Sequence, residues 1–241
     1  MIIPARFNGP TASGHGGYST GLAASAVGGT AEVSLRRPPP LERPLRLQSG
    51  DAGSMLLLDG DAVVAEARPA GPLGVELPEA VTLAEAQEAA AAFPWIAGHP
   101  FPRCYACGPE REEGDGLRQF PGPVAGREAT YATPFVTPRE LAGENGLLTD
   151  LGLWACLDCP TGVVVAEAQV GSPCVLARLA VERLGPVAAG ETHIVVSRFL
   201  AQEGRKIHTT AALFDTEGTA LAVARALWVA LTPEQAAAMS G

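Results

Sequence analysis

Residues 14–24 read GHGGYSTGLAA, a histidine and two glycines ahead of a small, apolar run. Glycine inside a helix costs roughly 1 kcal/mol relative to alanine, so a Gly-Gly pair at a helix start implies some compensating use. The run that follows predicts a helix from about Tyr18 to Val27, with Tyr18, Leu22, Ala26 and Val27 on one face. Backbone N–H groups at such a start are unpaired and point outward, and glycine lets another group approach them. The bland alternative is a turn that only reverses the chain, leaving His15 in solvent. No phosphate-loop lysine accompanies the glycines, so nucleotide binding is not predicted.

Beyond this helix, the segments TAEVSLR, PLRLQ, SMLLLD and AVVAEAR alternate or run apolar as strands do, and Asp59-Gly60 is a hairpin signal between the last two. From Pro69 to Pro102 the chain turns Pro-, Gly- and Ala-rich, with one helix opened by a Thr82/Glu85 capping box. The plan then repeats. Strands are expected near GLRQF and REATYATPF, and a helix from about Thr149 to Cys159, stopped by Pro160. Four long strands come next, CVLARLAVERL, THIVVSRFLA, KIHTTAALFD and TALAVARALWVAL, the last two joined by a hairpin at Asp215–Gly218. A short helix begins after Thr232. The division is residues 1–70, a linker over 71–102, and 103–241, each half an antiparallel sheet around one helix.

Composition narrows the function classes. The 241 residues are 47% hydrophobic and carry a formal charge of −9, with Lys206 the only lysine. Neutralising phosphates needs clustered cations, so neither nucleic acid nor a membrane surface is an expected partner. The start, MIIPARFNGP, lacks a basic segment followed by an apolar one, and the expectation is a cytoplasmic protein. Five cysteines without a secretion signal fit reduced thiols or a metal better than a disulfide framework.

The stretch 149–160, TDLGLWACLDCP, holds the most suggestive acid. Thr149 suits an N-cap, and Asp150 meets the positive end of the helix dipole, which is a structural role. Asp158 falls in the last turn, where the dipole opposes it, on one face with Trp154 and Leu151. Desolvation there raises a carboxylate's pKa and suits a general base or nucleophile, whereas an Asp before Cys-Pro also serves as a turn cap. Cys104-x-x-Cys107-Gly resembles a zinc knuckle, and Cys156-x-x-Cys159 supplies a second pair. The favoured reading is buried packing thiols and no metal, because the second pair lies on a core-facing helix. His99, His193 and His208 lack the spacing of a catalytic metal site.

The order Asn8, Gly14, His15, Gly16, Gly17, followed by a single helix wrapped in an antiparallel sheet, resembles the hotdog-fold acyl-CoA thioesterases of the phenylacetyl-CoA type. Their motif is an Asn followed by His-Gly-Gly. WACLDCPTG, from Trp154 to Gly162, together with HPFPRCYACG, is similar to bacterial double-hotdog thioesterase-like proteins. The resemblance implies an α+β chain of two tandem hotdog folds. In such thioesterases the helix start polarises the thioester carbonyl, and an acid on the central helix of the opposing hotdog activates water or attacks directly.

Asp158 follows Thr149 by nine residues, an offset typical of that acid, whereas Ala24 stands nine after His15. The halves are therefore complementary, and the resemblance implies one composite site. His15, Gly16, Gly17 and Asp158 are its catalytic residues, with Asn8, Tyr18, Trp154 and Arg103 around the substrate. Arg111 and Arg118 join Arg103 near the linker exit, where a solvated arginine loop is the simpler expectation. The implied partner is an acyl-CoA or acyl-carrier thioester, without cofactor, and a homodimer of double hotdogs is compatible with it. A non-catalytic acyl or hydrophobic-ligand binding protein on the same scaffold is the alternative.

Overall fold

The computed structural model describes residues 1–239. One antiparallel sheet of ten strands forms its backbone. In chain order the strands are β1 (Ala31–Leu35), β2 (Arg46–Ser49), β3 (Met55–Asp59), β4 (Ala62–Pro69), β5 (Gly122–Pro123), β6 (Thr130–Val136), β7 (Cys174–Arg183), β8 (Thr192–Glu203), β9 (Lys206–Phe214) and β10 (Ala220–Ala230). Their order across the sheet is β2-β3-β4-β1-β7-β10-β9-β8-β6-β5. Strands from before and after the linker occupy separate halves, and they meet where β1 pairs with β7, with Val33 opposite Leu179. Both halves follow one rule: the strand after the central helix pairs with the last strand, β1 with β4 and β7 with β10.

The helices are α1 (Gly16–Ala24), α2 (Leu83–Ala91), α3 (Asp150–Val163) and α4 (Pro233–Met239). α1 and α3 pack against each other over the sheet, and their residues are buried almost all round, as expected of core helices. Between them and the sheet lie Val33, Leu153, Leu157, Leu179 and Leu213, each essentially inaccessible. Full burial of one such side chain contributes roughly 1.5–3 kcal/mol. The stretch 150–168 is long and apolar enough to cross a membrane, yet 78% of its most apolar part is buried inside the fold.

The linker helix α2 opens with the expected capping box at Thr82 and Glu85. It packs through Ala86 and Ala89 against Ala132, Ile194, Val196 and Ala212. Strand alternation puts these on the sheet face opposite α1 and α3, whose side carries Val195 and Leu213.

Four local expectations need correction. α1 begins two residues early, because the His15 side chain accepts the Tyr18 N–H and caps it, and it ends at Ala24 rather than near Val27, passing into a turn over 25–27. The β3–β4 turn lies at Gly60 and Asp61, one residue later than the Asp59-Gly60 signal. GLRQF is not a strand: Leu117 and Gln119 bond instead to the carbonyls of Tyr105 and Ala106, inside the Cys104–Cys107 loop. Most instructive, Pro160 does not stop α3, which runs on to Val163. Proline removes the N–H owed to the carbonyl four residues back, that of Cys156. The buried Gln119 amide fills this place, donating from Nε2 to the Cys156 oxygen at 3.0 Å.

Candidate active site

His15 and Asp158 stand 143 positions apart in sequence and meet in the core, as the facing of α1 and α3 requires. Asp158 Oδ2 lies 3.1 Å from His15 Nε2 and accepts the Gly17 N–H at 2.6 Å. Exposure is 1% for His15 and 2% for Asp158, so bulk water screens neither. His15 Nδ1 accepts the Tyr18 N–H at 3.2 Å, which places the ring proton on Nε2, toward the carboxylate. Burial raises the Asp158 carboxyl above its ordinary range, against the pull of His15 and the Gly17 amide. On His15, burial favours the neutral ring, but the neighbouring Asp158 and Cys104 outweigh it and its pKa also rises. Both partners therefore hold protons more tightly than their free forms, and the Nε2–H faces Oδ2 across 3.1 Å.

The glycines serve this contact. A Cβ on Gly17 would fall 2.4 Å from the Trp154 carbonyl oxygen and 2.6 Å from Asp158 Cβ, so only glycine allows α1 to lie so close to α3. A Cβ on Gly16 would fall 2.9 Å from Asp158 Oδ2. The Gly17 amide is thus occupied by the carboxylate. Gly16 N–H has no hydrogen-bond partner among the described residues, and Gly16 borders the adjoining cavity.

That cavity measures about 880 Å³ and is bounded by His15, Gly16, Asp158 and the apolar side chains Leu176, Trp228 and Phe101. The four residues expected around substrate do not border it. Tyr18 stacks on Phe7, with centroids 4.0 Å apart. Trp154 is core. Arg103 is exposed, and its carbonyl accepts Arg111 Nε. Asn8 binds its Oδ1 to the Arg111 guanidinium and its Nδ2 to the Gly9 carbonyl. Arg111 itself is buried, not solvated: it also donates to Asp115 and to the Arg6 carbonyl, clasping the 103–119 loop onto the N-terminal segment.

Several cavity residues carried no clear sequence signal. Arg36 and Arg37 stand at its edge, Arg36 paired with Glu66. His99 accepts the Phe101 N–H through Nδ1, leaving a buried Nε2 without a partner. Three thiols, Cys104, Cys107 and Cys159, also border the cavity next to His15. Cys156 is turned away from them and its thiol pKa is raised by burial. The C-x-x-C spacing flagged four cysteines, but only the helix phase separates Cys159 from Cys156.

No protein-family model matches the chain, and no curated protein does. Among solved structures, it is similar to a hotdog-fold protein of unknown function from Alicyclobacillus acidocaldarius, with 14% identity, TM-score 0.65, and 96% of this chain and 92% of that one covered. It is also similar to a thioesterase candidate from Novosphingobium aromaticivorans (14% identity, TM-score 0.62, coverage 96% and 94%). A third likeness is the tesB protein of Mycobacterium avium subsp. paratuberculosis (13% identity, TM-score 0.56, coverage 90% and 87%). These establish an α+β hotdog fold.

Proposed function

We propose that this chain is a tandem of two hotdog units, residues 1–70 and 103–241 joined by 71–102, that hydrolyses an acyl-CoA or acyl-carrier thioester at one composite site. The observation that carries the reading is the Asp158 carboxylate, on the helix of one half, bonded to His15 and Gly17 at the helix start of the other. The repeated strand order in both halves supports the tandem.

The expected arrangement with both glycine amides on the thioester carbonyl is revised here, since Asp158 already takes that of Gly17. The Gly16 amide is the remaining donor for the developing oxyanion. Asp158 serves as base toward water, or as nucleophile, through its unpartnered Oδ1, with His15 and Gly17 holding Oδ2. The apolar cavity receives the acyl group, and Arg36 and Arg37 face the anionic carrier at its edge. Asp158→Asn should lower acyl-CoA hydrolysis by about 10²-fold or more, in line with loss of a general base, while circular dichroism stays unchanged. Full activity in that variant would sink the assignment.

The second reading, an acyl-ligand binder without turnover, is favoured by the deep burial of the carboxylate, whose Oδ2 is already taken by His15 and Gly17 while Oδ1 has no partner among the described residues. It predicts retention of acyl thioesters unhydrolysed across short, long and aromatic acyl groups, with affinity insensitive to Asp158→Asn.

A further inference from the structure

The thiols beside the carboxylate have no part in the proposed reaction, and their grouping has its own chemistry. Cys159 Sγ lies 3.4 Å from His15 Nε2, 3.5 Å from Cys104 Sγ and 3.2 Å from Cys107 Sγ. The donor atoms of His15, Cys104 and Cys159 all fall within 4.8 Å of one another. A tetrahedral zinc with bonds of about 2.3 Å to sulfur and about 2.0 Å to nitrogen holds its donors roughly 3.5–3.8 Å apart. The separations around Cys159 are close to that, and Cys107 Sγ, which touches Cys159 but stands outside the closer group of three, must shift toward them to complete the set.

The loop is built for the purpose. Gly108 follows Cys107, its N–H bonded to the Cys104 carbonyl at 3.0 Å, and a Cβ there would fall 2.5 Å from Cys104 N. Tyr105 N–H bonds to the Asn8 carbonyl, and Leu117 and Gln119 bond back to the loop, so it is fixed against the chain start and α3 before any ion binds. The Cys104 and Cys107 thiols interact with Cys159 and with each other, and Cys104 also with His15.

We infer that Cys104, Cys107, Cys159 and His15 bind one zinc ion, a Cys₃His site that cross-links the 103–119 loop to the start of α1 and the second half of α3. Binding releases the three thiol protons. Nε2 of His15 gives up its proton to become a ligand, and the neutral ring carries one on Nδ1 instead. The Tyr18 N–H then loses its cap, a single hydrogen bond, which is small beside coordination by three thiolates. Asp158 keeps the Gly17 amide and loses its contact with His15 Nε2. The set differs from the quartet that spacing alone suggests, because Cys156 faces away and His15 replaces it.

Elemental analysis of full-length protein, grown with zinc and purified without chelator, should return about one zinc per chain. Cobalt(II) in its place should give the visible bands of a tetrahedral ion and a sulfur-to-cobalt charge-transfer band of three-thiolate intensity. Cys107→Ser should lower zinc occupancy at least tenfold, and Cys174→Ser should leave it unchanged. Less than about 0.1 zinc per chain in the wild-type protein, even after reconstitution, overturns the site. A four-thiolate band would overturn the role of His15 in favour of Cys156. Zinc on His15 Nε2 takes that nitrogen from Asp158, so the proposed hydrolysis belongs to the metal-free chain. Metal content is read without turnover, and the hydrolysis assay is run on chelator-treated protein, so the two results are read separately.

Discussion

At the scale of single residues, the close contact between α1 and α3 makes the sharpest demand. Gly17 has no room for a methyl group, its nearest obstacles being backbone and a buried carboxylate. Gly17→Ala should therefore destabilise by about 1–3 kcal/mol through overpacking, read by denaturant unfolding, although alanine is the better helix former. An unchanged midpoint would mean the helices part easily. Glu66 offers a pH test. Arg36 and Arg68 hold its carboxyl below the usual range, so its contribution is present above the unfolded value and is lost as pH falls through the folded one. Glu66→Gln should cost a few tenths of a kcal/mol at neutral pH and nothing measurable near pH 2, as fits a surface pair.

At the scale of elements, α3 survives a proline because another segment completes it. Gln119→Leu leaves the Cys156 carbonyl buried and unpaired, at a cost of about 1–3 kcal/mol. Adding Pro160→Ala restores an N–H four residues on, and should recover much of that loss. The double-mutant cycle should show a coupling of at least about 0.5 kcal/mol, and strict additivity would show that Gln119 does not serve the helix. The existence and phase of α3 were legible in Thr149, Leu153 and Leu157. Its continuation was not, because the compensating donor lies in a loop that no periodicity marks. The same holds for GLRQF, whose alternation resembles a strand but whose bonds go to the cysteine loop.

At the scale of the whole molecule, the two halves are joined by more than their linker. The β1–β7 ladder, the α1–α3 contact and the Arg111 clasp all cross between them. Residues 71–78 run without secondary structure and are largely exposed. Limited proteolysis there should give two fragments that stay together on native size exclusion and separate only in denaturant. Fragments that part in native buffer would reduce these contacts to a minor role. The Arg111 clasp also blurs the boundary at residue 103, since the loop that opens the second half makes its main bonds with the first fifteen residues.

By itself the sequence determined the elements: short-range alternation, caps at Thr82 and Thr149, and two central helices each followed by strands are written in adjacent residues, where steric and hydrogen-bond preferences act. It also singled out His15 by its glycines and Asp158 by an expected place in the last helical turn, a place the structure does not give it, because α3 continues beyond it to Val163. Only the tertiary structure decided what these residues touch. The helices' approach gave the Gly17 amide to Asp158, burial raised the proton affinity of Asp158 while its carboxylate and Cys104 raised that of His15, and the 103–119 loop set Cys104 and Cys107 beside Cys159 while leaving Cys156 apart. Such contacts join residues a hundred or more positions apart, and their distances follow from packing that no local pattern encodes.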